Sequence, residues 1–415
     1  MVNTEDKKRL LLNFFSLFIL KVFTYVLPLL TLPYLVRVLG IEKFGLVMFA
    51  QAFIMFFNIL VDYGFGLSAT REISIHRDNK DKVTEIFSSV ITIKATLILI
   101  SFLILTIIIF SFEKFSSDWQ LYYLSFLLVI GNALFPVWYF QGMEKMKHIT
   151  IVNIASKSFF TILIFVVIQE PEDYIYLPLL NGLGYIVGGL VSLWIVYKHF
   201  NQSFTLQKFN ILKNHFIDSS HFFLSRASVT IYTSANIFVL GLFTNNIMVG
   251  YYSMAEKLYQ ALQGFYQPVV QALYPYVSRK KNIKLFKKLF STIVLVNTLG
   301  IILLYFIGQD IFHLLFTQNI GSESLEVFHI LLIAGLIVVP SILLGYPFLG
   351  ALGFSKYANL SIIYASLFHL IGLYTLMTFD NITIYSVSTM VCFTELLVFS
   401  LRIYWIRRKS LWQKR

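Results

Sequence analysis

Residues 83–111 read VTEIFSSVITIKATLILISFLILTIIIFS, with Glu85 and Lys94 as the only charges, and this stretch decides the class of fold. A helix needs about 20 apolar residues to cross a hydrocarbon core about 30 Å thick. The same window carried along the chain marks twelve such stretches: 10–35, 44–63, 83–111, 119–140, 150–168, 174–197, 217–242, 250–276, 286–308, 327–350, 358–379 and 383–405. The first follows the basic opening MVNTEDKKRL, but it lacks the short apolar region and small-residue cleavage site of a secretory signal, so it reads as a span. Of 415 residues, 57% are hydrophobic and 13% charged, against about 25% charged in a soluble domain. Mean hydropathy is +0.74. So few charges cannot cover the surface of a water-soluble globule of this size. The expected class is an all-α membrane protein of about twelve transmembrane helices.

Charge sets the orientation. With the N-terminus in the cytoplasm, 24 Lys and Arg fall in cytoplasmic segments, three (Arg37, Lys43, Lys114) on the opposite side and six within spans. Positive residues stay inside, so both termini are expected in the cytoplasm. The same distribution explains the net charge of +12 without nucleic acid. The hydrophilic stretch 198–216 divides the spans six and six, which predicts an N-terminal lobe (1–197), a cytoplasmic linker (198–216) and a C-terminal lobe (217–415). Two lobes entering with one orientation form a parallel repeat, with a central cavity expected between them. VLGIEKFG (38–45) and VLGLFTNNIMVG (239–250) support the repeat, pairing Gly40 with Gly241 and Gly45 with Gly250.

In span eight, Glu256, Gln260, Gln263, Gln267 and Gln271 follow one another by 4, 3, 4 and 4 residues, which stacks them on one helix face. Helix-to-helix hydrogen bonding is the plain reading of glutamine in a bundle. Five long polar side chains in line point instead to a water-filled cavity. An offset of 205 places Gln51, Met55, Asn58 and Asp62 of span two on the corresponding face.

Six cations lie within spans: Lys21, Lys94, Lys157, Arg226, Lys257 and Arg402. A basic side chain at the bilayer centre costs about 2.5–3.5 kcal/mol. Snorkelling accounts for Lys157, Lys257 and Arg402 as well as function does. Lys21 and Arg226, the latter on a face with Thr230 and Thr233, occupy related positions of spans one and seven and are the first candidates for an anion site, followed by Lys94 and Lys257. Glu395, near the middle of span twelve, either neutralises a cation or serves H+ or Na+ coupling. His369 reads as an isolated packing residue. Cys392, the single cysteine, excludes an internal disulfide. No phosphate-binding GxxxxGK[ST] loop and no His/Cys metal cluster occurs, so no enzyme activity and no cofactor are expected.

LPLLTLPYLVRVLGIEKFG (27–45), PVWYFQGMEKMKH (136–148) and IFVLGLFTNNIMVGYYSMAEKLYQAL (237–262) resemble the Wzx-type O-antigen and polysaccharide repeat-unit flippases. These belong to the MOP superfamily, with the MATE exporters and lipid II flippases. The resemblance spans essentially the whole chain. It implies alternating-access transfer of an undecaprenyl-diphosphate-linked oligosaccharide from the cytoplasmic to the periplasmic leaflet of a bacterial inner membrane. It also implies a polysaccharide polymerase and chain-length proteins as partners in assembly, and a cationic cavity, though no particular ligand residue. Arg and Lys suit a diphosphate, and Gln and Asn amides suit sugar hydroxyls. A MATE-like drug exporter would favour an acidic cavity. A non-transporting assembly protein is the other alternative, and a polymerase would be expected to show a larger periplasmic loop than 309–326.

Overall fold

The computed structural model describes residues 4–316 and 322–412, which are helical almost throughout, with no strand among them. Helix α1 (Thr4–Asp62) contains the first two predicted spans. One residue separates them. Gly40 has φ 72° and ψ 163°, a backbone region essentially closed to any residue with a β-carbon, so the chain turns there without leaving the helix on either side.

Grouped by packing, the chain forms two compact units: Met1–Leu27 with Ala50–Thr230, and Pro28–Phe49 with Ile231–Arg415. The boundary therefore falls inside helix α9 (Phe209–Phe243), and not in the 198–216 stretch. Close contacts explain why Pro28–Phe49 groups with the second unit. A β-carbon on Gly45 would lie 2.7 Å from the Gly250 amide nitrogen, and one on Gly250 would lie 2.5 Å from the Ile41 carbonyl oxygen. The two glycines paired by the sequence repeat are thus in direct backbone contact, the close approach that small residues permit. Phe49 stacks on Phe238 with ring centroids 5.8 Å apart and fills the space beside Gly241. Gly40 and Gly241, the other matched pair, do different work: one turns the chain, the other makes room for a ring.

In the first unit, α2 (Phe65–His76) follows Gly64. The predicted spans 44–63 and 83–111 leave the residues between them as a connection. The chain is helical to His76 because Phe65, Ala69 and Ile73, four apart, form a buried face. Helix α3 (Lys80–Ser111) is capped by the Asn79 side chain, which accepts from the Lys82 amide at 3.1 Å. After the single turn α4 (Glu113–Ser116), the predicted fourth span is broken into α5 (Trp119–Leu134) and α6 (Val137–Gly142). Pro136 forces Phe135 into an extended conformation, ψ 100°. The aromatic run of PVWYFQGMEKMKH is buried at Trp138, Tyr139 and Phe140, and Glu144 pairs with Arg77 at 2.9 Å.

Helices α7 (Met146–Val167) and α8 (Tyr176–His199) complete the unit's first six spans. The following stretch is not a loose linker. Gln202 is buried, donates to the Thr84 hydroxyl at 2.6 Å and accepts from the Tyr139 hydroxyl at 3.4 Å. The Thr205 amide donates to the Ser88 hydroxyl at 3.1 Å.

In the second unit, α10 (Asn246–Lys280), α11 (Ile283–Leu315), α12 (Ser322–Leu343), α13 (Ser355–Thr378) and α14 (Ile384–Arg408) carry spans eight to twelve. The end of span ten opens into a π-helical segment, Leu344–Gly350, containing Pro347 and the non-helical Gly345. The Arg402 guanidinium occupies this opening. It donates to the Ser341 carbonyl at 2.5 Å and to the hydroxyls of Ser341 and Ser361 at 3.1 Å each. Arg402 is buried, so snorkelling, the reading given for it from sequence, is replaced by an internal hydrogen-bonded role.

All twelve predicted spans fall inside helices or, for spans four and ten, broken helices. Nine helical segments among the described residues are long and apolar enough to cross a membrane, with Leu27–His76 counted as one. The protein is a multi-pass membrane protein.

The Gly40 conformation predicts that Gly40→Ala lowers the thermal stability of detergent-purified protein by about 1–3 kcal/mol, although a β-carbon there meets nothing within 4 Å. Gly300→Ala, in an equally open position inside α11, should be neutral or stabilising by about 0.4–1 kcal/mol. Equal behaviour of the two would remove the backbone argument.

Candidate functional site

The glutamine line lies on α10, whose first turn is held by the Asn245 side chain accepting from the Met248 amide at 3.0 Å. The helix is packed tightly over Tyr252–Glu256, where each residue is buried. Beyond Tyr259 the character of the face changes: Gln260, Gln263, Gln267 and Gln271 are all half-buried. The five residues therefore do not share one environment. Glu256 belongs to the packed half, and the four glutamines to the half-open one. Gln263 borders a cavity of about 180 Å³ that Tyr259, Tyr266 and Asn297 also line. Lys257 is half-buried beside Glu256.

The polar face of span two lies in the first unit and is largely committed to neighbours. Asn58 accepts from the Asn132 amide at 3.0 Å and donates to the Met55 sulfur at 3.6 Å. Lys94 Nζ and Asp62 Oδ1 form an ion pair at 3.3 Å, with the Lys94 side chain 5% exposed and that of Asp62 40% exposed. Lys94, a sequence candidate for the diphosphate, is thus held by an internal acidic partner, and a cation already neutralised has less to offer an anion. Gln51 is half-buried. Lys157, placed near a headgroup region from sequence, lies over the Tyr185 ring at 4.8 Å.

The side chains of Lys21 and Arg226 lie outside the described residues. Among their companions, Thr230 is half-buried and Thr233 exposed. Glu395 is buried on α14 next to Thr394.

Thr394 belongs to a cluster that the sequence reading missed. His369, fully buried on α13, faces the Thr394 hydroxyl through Nδ1 at 2.7 Å and the Asn236 side-chain oxygen through Nε2 at 2.8 Å. The Thr394 hydroxyl donates to the Met390 carbonyl at 2.7 Å, so its lone pair receives a proton from Nδ1. Two arrangements then satisfy Nε2. A neutral ring accepts from the Asn236 amide once that amide is reversed, and a doubly protonated ring donates to its oxygen. His369 thus ties spans seven, eleven and twelve together and is no isolated packing residue. The only signal available in sequence was an asparagine and a threonine in apolar spans far from the histidine.

The fold is similar to that of solved transporters of the MOP superfamily. The lipid II flippase MurJ in an inward closed conformation superposes with a TM-score of 0.75 at 13% identity, covering 97% of this chain and 89% of that one. An inward-facing multidrug resistance MATE family transporter gives 0.67 at 12% identity, over 96% and 99%.

The chain belongs to the polysaccharide biosynthesis protein family, whose model matches residues 10–281. A protein of Escherichia coli described as a candidate O-antigen transporter is 34% identical over 280 residues, 66% of this chain and 67% of its own length. One of Shigella dysenteriae with the same description is 30% identical over 280 residues, 67% and 69% of the two chains.

The Lys94–Asp62 pair predicts a specific pattern of stability. Asp62→Ala leaves a buried cation without its partner and should destabilise the purified protein by about 3 kcal/mol, discounted for the half-open side of Asp62. Adding Lys94→Met should restore much of the loss. A double-mutant cycle read by thermal unfolding that returns simple additivity would refute the pairing.

Proposed function

We propose that this chain is a flippase that moves an undecaprenyl-diphosphate-linked oligosaccharide from the cytoplasmic to the periplasmic leaflet of a bacterial inner membrane by alternating access, with both termini in the cytoplasm. The observation that carries this reading is the 34% identity over 280 residues to the candidate O-antigen transporter of Escherichia coli. The fold shared with the lipid II flippase MurJ is consistent with it.

The residue chemistry supports the same substrate. The half-open glutamines of α10 offer paired donors and acceptors to sugar hydroxyls. With Lys94 and Arg402 committed to internal partners, Lys21 and Arg226 are the leading diphosphate ligands, followed by Lys257. Transfer would run on a proton or sodium gradient. Buried Glu395, the adjoining His369 cluster and buried Glu256 are groups in the second unit whose charge such a gradient could change.

The test is genetic and chemical. A deletion strain should accumulate the lipid-linked intermediate and lose surface polysaccharide. Lys21→Gln and Arg226→Gln, at normal protein level, should lower export about ten- to a hundred-fold, the range of a charged hydrogen bond worth about 1.5–3 kcal/mol, while Lys21→Arg keeps much of it. Unchanged export in both neutral variants would move the anion site elsewhere.

A further inference from the structure

One cavity of the first unit plays no part in the site above. It encloses about 790 Å³, within the range of about 300–1,000 Å³ that small-molecule pockets occupy. Its walls are α2, the start of α3 and the start of α9. These elements are held in place from below. Gly64, at φ 76°, lets the chain pass within van der Waals contact of the Phe222 and Phe223 backbone. Tyr63 stacks on Phe216 and Phe223, with ring centroids 4.1 and 4.9 Å apart. At the buried base, the Ser68 and Ser219 hydroxyls are 2.8 Å apart.

The lining divides into committed and uncommitted groups. Glu85 is engaged by Lys82 at 2.7 Å and faces His215 at 3.4 Å. Arg71, Asn214 and Asp218 also line the cavity, at its solvent-exposed side, and no hydrogen bond or ion pair engages their side chains among the described residues. Together they present a guanidinium, an amide and a carboxylate, with the Phe222 ring as an apolar wall. Donors and acceptors in this mixture suit a polyol, which offers both from every hydroxyl. The charges do not suit a diphosphate: two cations, Arg71 and Lys82, stand against three carboxylates, Glu72, Glu85 and Asp218.

We propose that this cavity is a binding site for the oligosaccharide portion of the substrate, separate from the cationic site for its diphosphate. The cavity lies at the end of the unit that carries the α2–α3 connection and the 200–208 stretch, which charge places in the cytoplasm. A sugar head held there is captured before the diphosphate enters the membrane-spanning region. The inference rests on the flippase reading and adds where the sugar first docks.

The test uses the full chain in detergent, with Cys392→Ser and a cysteine at Ile211, an apolar lining position that leaves every polar group in place. The probe is the water-soluble oligosaccharide freed by mild acid from the lipid-linked intermediate of the same cells. At ten times its dissociation constant it should slow labelling of Ile211→Cys by a hydrophilic maleimide about ten-fold, by mass action. Inorganic diphosphate should not, and a cysteine at exposed Ser117 should be unaffected by either. Arg71→Gln with Asp218→Asn should abolish the protection.

Protection by diphosphate but not by sugar, equal protection at Ser117→Cys, or no protection would each overturn the proposal. If the deletion strain accumulates the intermediate while its sugar leaves Ile211→Cys unprotected, the cavity assignment falls and the flippase reading stands. A deletion strain that accumulates no intermediate takes both down.

Discussion

A polar group inside a hydrocarbon layer has no water to turn to, and the rest of this structure follows from that constraint. Its effect is clearest on the cations within spans. Lys94 takes Asp62, Arg402 takes a widened helical turn and two serines, and Lys157 takes the face of Tyr185. Each solution fixes one helix against another. The Arg402 solution is also the physical reason for the irregular segment after Leu343: a carbonyl accepting from a guanidinium is one the regular helix need not satisfy. The His369 cluster obeys the same rule with neutral partners, binding three helices through one ring.

Close backbone contact supplies what hydrophobic burial cannot between helices bathed in lipid. Gly45 against Gly250, and Phe49 in the space beside Gly241, attach Pro28–Phe49 to the second unit. Gly40 makes that attachment possible by turning α1 within a single residue. Glycine thus has two distinct uses in one short segment.

Spans were legible because a membrane helix announces itself by length and apolarity, and all twelve stretches are helical. The breaks were harder to read. Pro136 signals a kink, but a window of apolar residues runs straight over Phe135. The 198–216 stretch looked like a linker from its polarity alone, since nothing in linear sequence shows that Gln202 reaches Thr84. The site was legible in part. The helical spacing of the glutamines was visible, whereas the change from a packed Glu256 to half-open glutamines depends on neighbours from other spans. Lys94 was costly to bury, but its partner could be identified only once α1 and α3 were side by side. His369 was misread for the same reason: its partners are 133 residues before it and 25 after.

Membership of the polysaccharide biosynthesis family and the likeness to O-antigen transporters support the proposal that the chain moves a lipid-linked sugar. The most direct measurement is reconstitution of the purified chain into proteoliposomes carrying the host's lipid-linked oligosaccharide in the leaflet that corresponds to the cytoplasm. Appearance of the sugar in the other leaflet is read with a membrane-impermeant glycosidase. The account predicts that the active chain exposes the sugar much faster than protein-free vesicles do, and that Lys21→Gln with Arg226→Gln returns the rate to background. Transfer no faster than in protein-free vesicles, with the chain folded and an ion gradient of either kind imposed, would contradict it.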